Sequence, residues 1–238
     1  FGRKRGLKPA QVIRRFSEHT KLVLTLTGIL IVAGTVFIFA AEFGNPETLG
    51  TMPIPQKILN SLFESVTFRT AGFATFSQAG LRDVSCLAAY LLMFIGGSPI
   101  GTAGGVKTTT FYLAILGFNS YVHGKNDAHA YKRSVSEEAM RKATAIIEVS
   151  VVTVMVLTLL LVATNPVGIE DGLFEIVSAC ATVGLTRNLT PTLNTAGKLI
   201  VTVGMYLGRI GPISMAFFLT GGKKNESGVH YAEGNFYI

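Results

Sequence analysis

Apolar residues run in long blocks along this chain, and charge collects between the blocks. "LVLTLTGILIVAGTVFIFAA" (22–41) contains no charged residue and is long enough to cross a bilayer, which takes about 20 helical residues. "ATAIIEVSVVTVMVLTLLLVA" (143–163) is a second span. "GKLIVTVGMYLGRIGPISMAFFL" (197–219) is a third, and it carries Arg209 and the Gly211-Pro212 pair. A fourth run is broken: "CLAAYLLMFIGG" (86–97) is too short to cross alone and resumes as "VKTTTFYLAILGF" (106–118). The break is rich in glycine, small hydroxyls and a proline, at a depth where bare backbone groups cost about several kcal/mol each in lipid.

Two shorter apolar segments lie between the spans. "IPQKILNSLFESVTF" (54–68) and "GIEDGLFEIVSACA" (168–181) repeat apolar residues every three or four positions and read as helices. Neither is long enough to cross a bilayer. Glu64, Glu170, Asp171 and Glu175 read as acids near the helix N-termini, where the helix dipole favours negative charge.

Charge sets the orientation. Arg3, Lys4, Arg5, Lys8, Arg14, Arg15 and Lys21 precede the first span. Lys125, Lys132, Arg133, Arg141 and Lys142 lie between the broken helix and the next span, and Lys223 and Lys224 follow the last. Basic loops stay cytoplasmic, so 42–83 and 164–196 are expected outside. The chain then divides into a cytoplasmic basic segment (1–21), a first membrane module (22–118), a cytoplasmic linker (119–142), a second module (143–220) and a cytoplasmic tail (221–238). A net charge of +7 fits this topology better than nucleic-acid binding, because the basic residues sit in blocks beside apolar runs. Cys86 and Cys180 lie in apolar surroundings and read as buried thiols. The chain opens on Phe1 in a basic stretch, which predicts a piece of a longer protein.

The two modules are copies. "LFESVTFRTAGF" (62–73) matches "LFEIVSACATVGL" (173–185), and "MFIGGSPI" (93–100) matches "MYLGRIGPI" (205–213). Each short helix runs straight into Thr-x-Gly-apolar. If that helix dips inward, its partially negative C-terminal end points into the membrane, and the Thr-x-Gly segment returns in extended form. Irregular backbone at membrane depth must line water or be buried in protein, so its carbonyls can replace the hydration shell of a cation. Gly72 and Gly184 suit this because glycine can aim its carbonyl inward without a Cβ clash. Oxygen ligands without carboxylates suit a weakly held monovalent ion.

"SLFESVTFRTAGF", "MFIGGSPIGTAGGVKTTTF", "ATVGLTRNLTPTLNTAGKLI" and "GMYLGRIGPISMAFFL" resemble the membrane subunits of the Trk/Ktr/HKT superfamily, most of all those of bacterial Ktr potassium uptake systems. The resemblance covers about 16 to 234. It implies an all-α integral membrane fold of potassium-channel-like span–pore helix–span repeats. Four such repeats would surround one pseudo-fourfold pore, this chain supplying the third and fourth. It implies K+ uptake across the plasma membrane, Na+ as an activator, a homodimer, and a cytosolic regulatory ring that binds the nucleotide in place of this chain. The filter segments are then Thr70, Ala71, Gly72 and Phe73, and Thr182, Val183, Gly184 and Leu185, with oxygens of Thr70, Ala71, Gly72, Thr182, Val183 and Gly184 as K+ ligands.

By the same resemblance the break (97–107) is a gate loop below the filter: Gly97, Ser98, Pro99, Gly101, Thr102, Gly104, Gly105 and Lys107. Its composition gives a narrow, flexible backbone. Arg209 lies about 16 Å along its helix from Lys198, where a lipid-facing charge costs at least about 2.5–3.5 kcal/mol. It should therefore face an aqueous interior, and the resemblance implies a role in closing the pore. Arg69 reads as an anchor for the pore helix, and Glu148 as structural. The chain is not read as an enzyme: "GTAGGVKT" departs from a nucleotide-binding loop, with Val106 between the last glycine and Lys107 and no strand before it. Two alternatives stay open: a secondary cation carrier with re-entrant hairpins, and an inert docking subunit.

Overall fold

The computed structural model describes residues 16–99, 103–124, 128–130 and 133–211. The basic segment before residue 16, Gly101, Thr102, Lys125, Lys132, Pro212 and the tail 221–238 lie outside the described residues. The fold is all-α apart from one small hairpin. The helices are α1 (Glu18–Glu42), α2 (Ile54–Thr67), α3 (Asp83–Phe94), α4 (Thr108–Val122), α5 (Glu137–Thr164), α6 (Ile169–Cys180) and α7 (Thr195–Ile210).

Local chemistry sets the helix starts. The Ser17 hydroxyl accepts from Thr20 N–H (3.2 Å) at the head of α1, and Ser136 does the same for Ala139 N–H (3.3 Å) at the head of α5. Asn194 Oδ1 accepts from Gly197 N–H (2.8 Å) and starts α7. α1 and α5 have mean hydropathies of 2.5 and 2.6 over their most apolar windows and are long enough to span a bilayer. Their outward faces stay apolar and exposed, at Val32, Val36, Val152 and Leu159, as a lipid-facing surface requires.

The two modules fold alike. α1 packs on α2 and α3, and α5 packs on α6 and α7. In each, the end of the first span captures the start of the helix two further on, α3 after α1 and α7 after α5. Buried Glu42 accepts from Arg82 N–H (3.0 Å) and from the Ser85 hydroxyl, and also from Asn45 and Thr48 (2.6 Å each). Asn165 Oδ1 accepts from Asn194 N–H (3.0 Å), while Asn194 Nδ2 donates to Thr164 O (2.7 Å). Small residues allow close helix approach: Gly34 of α1 faces Ser65 of α2, whose hydroxyl donates to Ile31 O (2.9 Å). α3 of the first module packs against α6 of the second. The core, with Phe68, Met93, Leu161, Phe174 and Ile176, lies where the modules meet.

One region differs from the sequence reading. The span 119–142 is not a plain linker. α4 runs on to Val122, and β1 (Ala128–Ala130) pairs antiparallel with β2 (Arg133–Val135) in register His129↔Ser134. Arg133 of this hairpin lies 3.8 Å from Glu18 at the head of α1. The strands are three residues long, too short for an alternating pattern to show.

Candidate functional site

Each short helix ends in a left-handed turn built on threonine. Thr70 has φ 74° and Gly72 φ 76°; Thr182 has φ 56° and Gly184 φ 91°. The residues between them, Ala71 and Val183, are not left-handed. A β-branched residue at positive φ is a true outlier, costing about 1–3 kcal/mol, and here it occurs at the same place in both copies. Alternating hand also lets consecutive carbonyls face one way, where an ordinary extended strand turns them to opposite sides. After α6, Thr182 N–H bonds to Ala179 O (3.0 Å) and Val183 N–H to Ser178 O (2.9 Å). This is the paired closure usual at a helix end, with threonine where glycine is the common choice. After α2, Ala71 and Gly72 N–H both return to Thr67 O, at 3.1 and 3.3 Å. The Thr67 hydroxyl then holds Phe73, accepting from its N–H (2.8 Å) and donating to its carbonyl (2.6 Å).

The two loops meet. A Cβ added at Gly72 would lie 2.0 Å from Val183 O, whereas one at Gly184 would meet nothing within 4 Å. Residues 70–73 and 182–185 are therefore neighbours, although their surroundings differ. Val183 and Leu185 are buried in the core, while Phe73 is 70% exposed.

The glycine-rich break lies against this pair. α3 stops at Phe94, and Ile95 and Val106 form a parallel bridge, with Gly96 N–H on Val106 O (2.9 Å) and Val106 N–H on Phe94 O (3.1 Å). Thr108 N–H, at the start of α4, bonds to Gly97 O (3.2 Å). Gly104 is pressed on the second loop: a Cβ there would lie 2.3 Å from Thr182 Oγ1 and 2.8 Å from Ala181 O. Arg69, next to Thr70, donates from Nη2 to Gly96 O (3.1 Å). The break is thus joined to both Thr-x-Gly loops. Its Ser98 and Pro99 sit between these contacts, and Gly97 approaches Ala103. Lys107 donates to Ala103 O across the turn. Arg209 stands in the last turn of α7.

Two carboxylates sit where the sequence reading did not put them. Glu64 lies in the C-terminal third of α2 and Glu175 in the middle of α6, so neither is an N-terminal acid. Both are buried behind the loops, at 0% and 4% exposure. Glu64 accepts from Gln78 Nε2 (3.3 Å) and Thr75 Oγ1 (3.4 Å). Glu175 accepts from Thr186 Oγ1 (2.7 Å) and from the Thr190 hydroxyl. The signal was present in the sequence: glutamate and threonine eleven residues apart in both copies. Arg187 was also missed. It follows the second loop and pairs with Glu170 (2.6 Å) and Asp171 (2.9 Å) at the head of α6. Burial disfavours its charge, but the carboxylates of Glu170 and Asp171 outweigh that and hold its pKa above the usual value. Cys86 and Cys180 are free thiols, the first buried and the second half-buried.

Repeated span–short helix–loop–span modules with irregular backbone held in protein define a class of multi-pass membrane transporter. The family model for TrkH, cation transport protein, matches residues 19–227, and the chain belongs to that family. Ktr system potassium uptake protein B of Bacillus subtilis (strain 168) is 38% identical over 224 residues, which cover 94% of this chain and 50% of that protein. Potassium/sodium uptake protein NtpJ of Enterococcus hirae is 34% identical over 211 residues, covering 87% of this chain and 47% of its own. The crystal structure of the potassium transporter TrkH from Vibrio parahaemolyticus shares the fold, with a TM-score of 0.69 at 16% identity over 87% of this chain and 45% of that one. The chain spans about half the length of the curated relatives it matches.

Proposed function

We propose that this chain supplies two of four modules around a potassium-conducting pore in the plasma membrane. The observation that carries the reading is the matched pair of Thr-x-Gly loops. Both have the same alternation of backbone hand, they touch at Gly72 and Val183, and they lie at the C-terminal ends of short helices. Carbonyls of residues 70–72 and 182–184 replace the water around K+, helped by the negative ends of α2 and α6. Phe73 and Leu185 complete the two segments on the outer side.

In this reading 97–107 is the gate. Gly104 covers the inner end of the second segment at Thr182. Lys107 and Arg209 add positive charge below the filter, which opposes cation passage. The basic loops and both ends face the cytoplasm, where a nucleotide-binding regulatory ring moves the gate. The full-length protein works as a homodimer, with Na+ as a second, activating ion. A relative named for potassium/sodium uptake accords with a role for both ions.

The test is uptake by cells that lack their own K+ transporters and express the full-length protein. The unaltered protein should restore K+ uptake with preference over Na+. Gly72→Ser and Gly184→Ser should each lower that preference. Equal K+ and Na+ uptake by all three proteins would remove the filter assignment.

A further inference from the structure

Behind each Thr-x-Gly loop stands the same buried construction, and the pore reading leaves it without a role. Glu64 and Glu175 project from the pore helices and take hydrogen bonds from the outgoing limb of their own loop. Each carboxylate is tied at two points. The first is a threonine just past the loop: Thr75 for Glu64, Thr186 for Glu175. The second is the first residue of a 3₁₀ turn: Gln78 opens Gln78–Gly80, and Thr190 opens Thr190–Thr192. Among the described residues no lysine or arginine forms an ion pair with Glu64 or Glu175.

A buried carboxylate held by neutral donors is costly to leave unsatisfied. Each Glu therefore enforces the position of the hydroxyls and amide that reach it, and through them the outgoing strand of the loop. The strand carries the strain of a left-handed threonine and needs such a restraint to keep it from relaxing toward right-handed backbone. Hydrogen-bonded support of this kind is what fixes a binding constellation within fractions of an ångström.

We propose that Glu64 with Thr75 and Gln78, and Glu175 with Thr186 and Thr190, are matched struts that position the two filter segments and set the discrimination of K+ from Na+. They touch no ion themselves. They act by preventing the ring of carbonyl oxygens from contracting onto the smaller cation. The proposal rests on the pore reading above. The second strut is the tighter of the two, since Thr186 is 2.7 Å from its carboxylate and Thr75 is 3.4 Å from its own.

The experiment uses the full-length protein in K+-uptake-deficient cells, with membrane abundance measured for every variant. Thr186→Val, which keeps the shape and loses the hydroxyl, should lower the K+/Na+ uptake ratio about tenfold, the order available from one hydrogen bond to a charged acceptor. Thr75→Val should lower it by about threefold, because its bond is longer. Thr186→Ser and Thr75→Ser keep the hydroxyl and should restore the ratio. A merely structural role would reduce abundance or total uptake and leave the ratio of the surviving protein unchanged. That result, or equal ratios for the Val and Ser variants, would overturn the proposal. The two readings separate cleanly. If Gly72→Ser and Gly184→Ser shift the ratio and both Val variants do not, the struts fall and the filter stands. If the glycine variants leave the ratio unchanged, the filter assignment falls and the struts fall with it, whatever the Val variants do.

Discussion

At the scale of single residues, the two glycines proposed for the filter are not equivalent, although the sequence makes them look so. Gly72 and Gly184 both need positive φ, so alanine at either place pays backbone strain of about 1–2 kcal/mol. At Gly72 the added carbon would also collide with Val183 O at 2.0 Å, while at Gly184 it would enter open space. Gly72→Ala is therefore expected to lose most K+ uptake and Gly184→Ala to keep a substantial part, measured side by side at matched membrane abundance. The reverse order would mean that the two loops are not in contact in the working protein.

At the scale of elements, the break between α3 and α4 is joined to the two Thr-x-Gly loops by Arg69 and by Gly104. Arg69→Gln removes a charged hydrogen bond to Gly96, and basal K+ uptake should rise by about tenfold if that bond helps hold the loop in place. Deleting 98–105 should raise it as well. Loss of uptake on deletion would favour a carrier in which this loop forms the substrate site. Much of this level was legible in the sequence. The uncharged run of 22–41, the duplicated Thr-x-Gly and the glycines of 96–105 all announced themselves, because membrane burial and backbone freedom act on local composition. The contacts that give these elements their meaning were not legible. Nothing in the periodicity of α2 says that Glu64 reaches Thr75, or that Gly96 is the group to which Arg69 ties its helix. Such partners are distant in sequence and show only as a spacing repeated between copies. Arg187 escaped for the same reason: its partners Glu170 and Asp171 lie seventeen and sixteen residues back, across a whole helix.

At the scale of the whole molecule, the two short helices α2 and α6 differ in cover. α6 is sheathed by α3 and keeps Phe174, Ile176 and Val177 buried, whereas α2 leaves Ile58, Leu59, Leu62 and Val66 open. That face fits a further helix standing to α2 as α3 stands to α6, in keeping with a pore of four modules. If ions bind between the loops, they also hold the fold together. With K+ at about a hundred times its dissociation constant, the gain is about 2.7 kcal/mol, or roughly 3 °C in melting temperature for a protein about twice the length of this chain. The full-length protein in detergent should show this shift with K+ and not with choline, and Gly72→Ser should diminish it. Equal melting in both salts would argue against an ion site there. The bridge between Ile95 and Val106 has a consequence of another kind. Because the two limbs are fastened to each other before the loop begins, residues can be added or removed within it while the flanking spans keep their depth and register. In the proposed gating reading, the length of this one small segment then sets how tightly the passage shuts, with the rest of the architecture undisturbed.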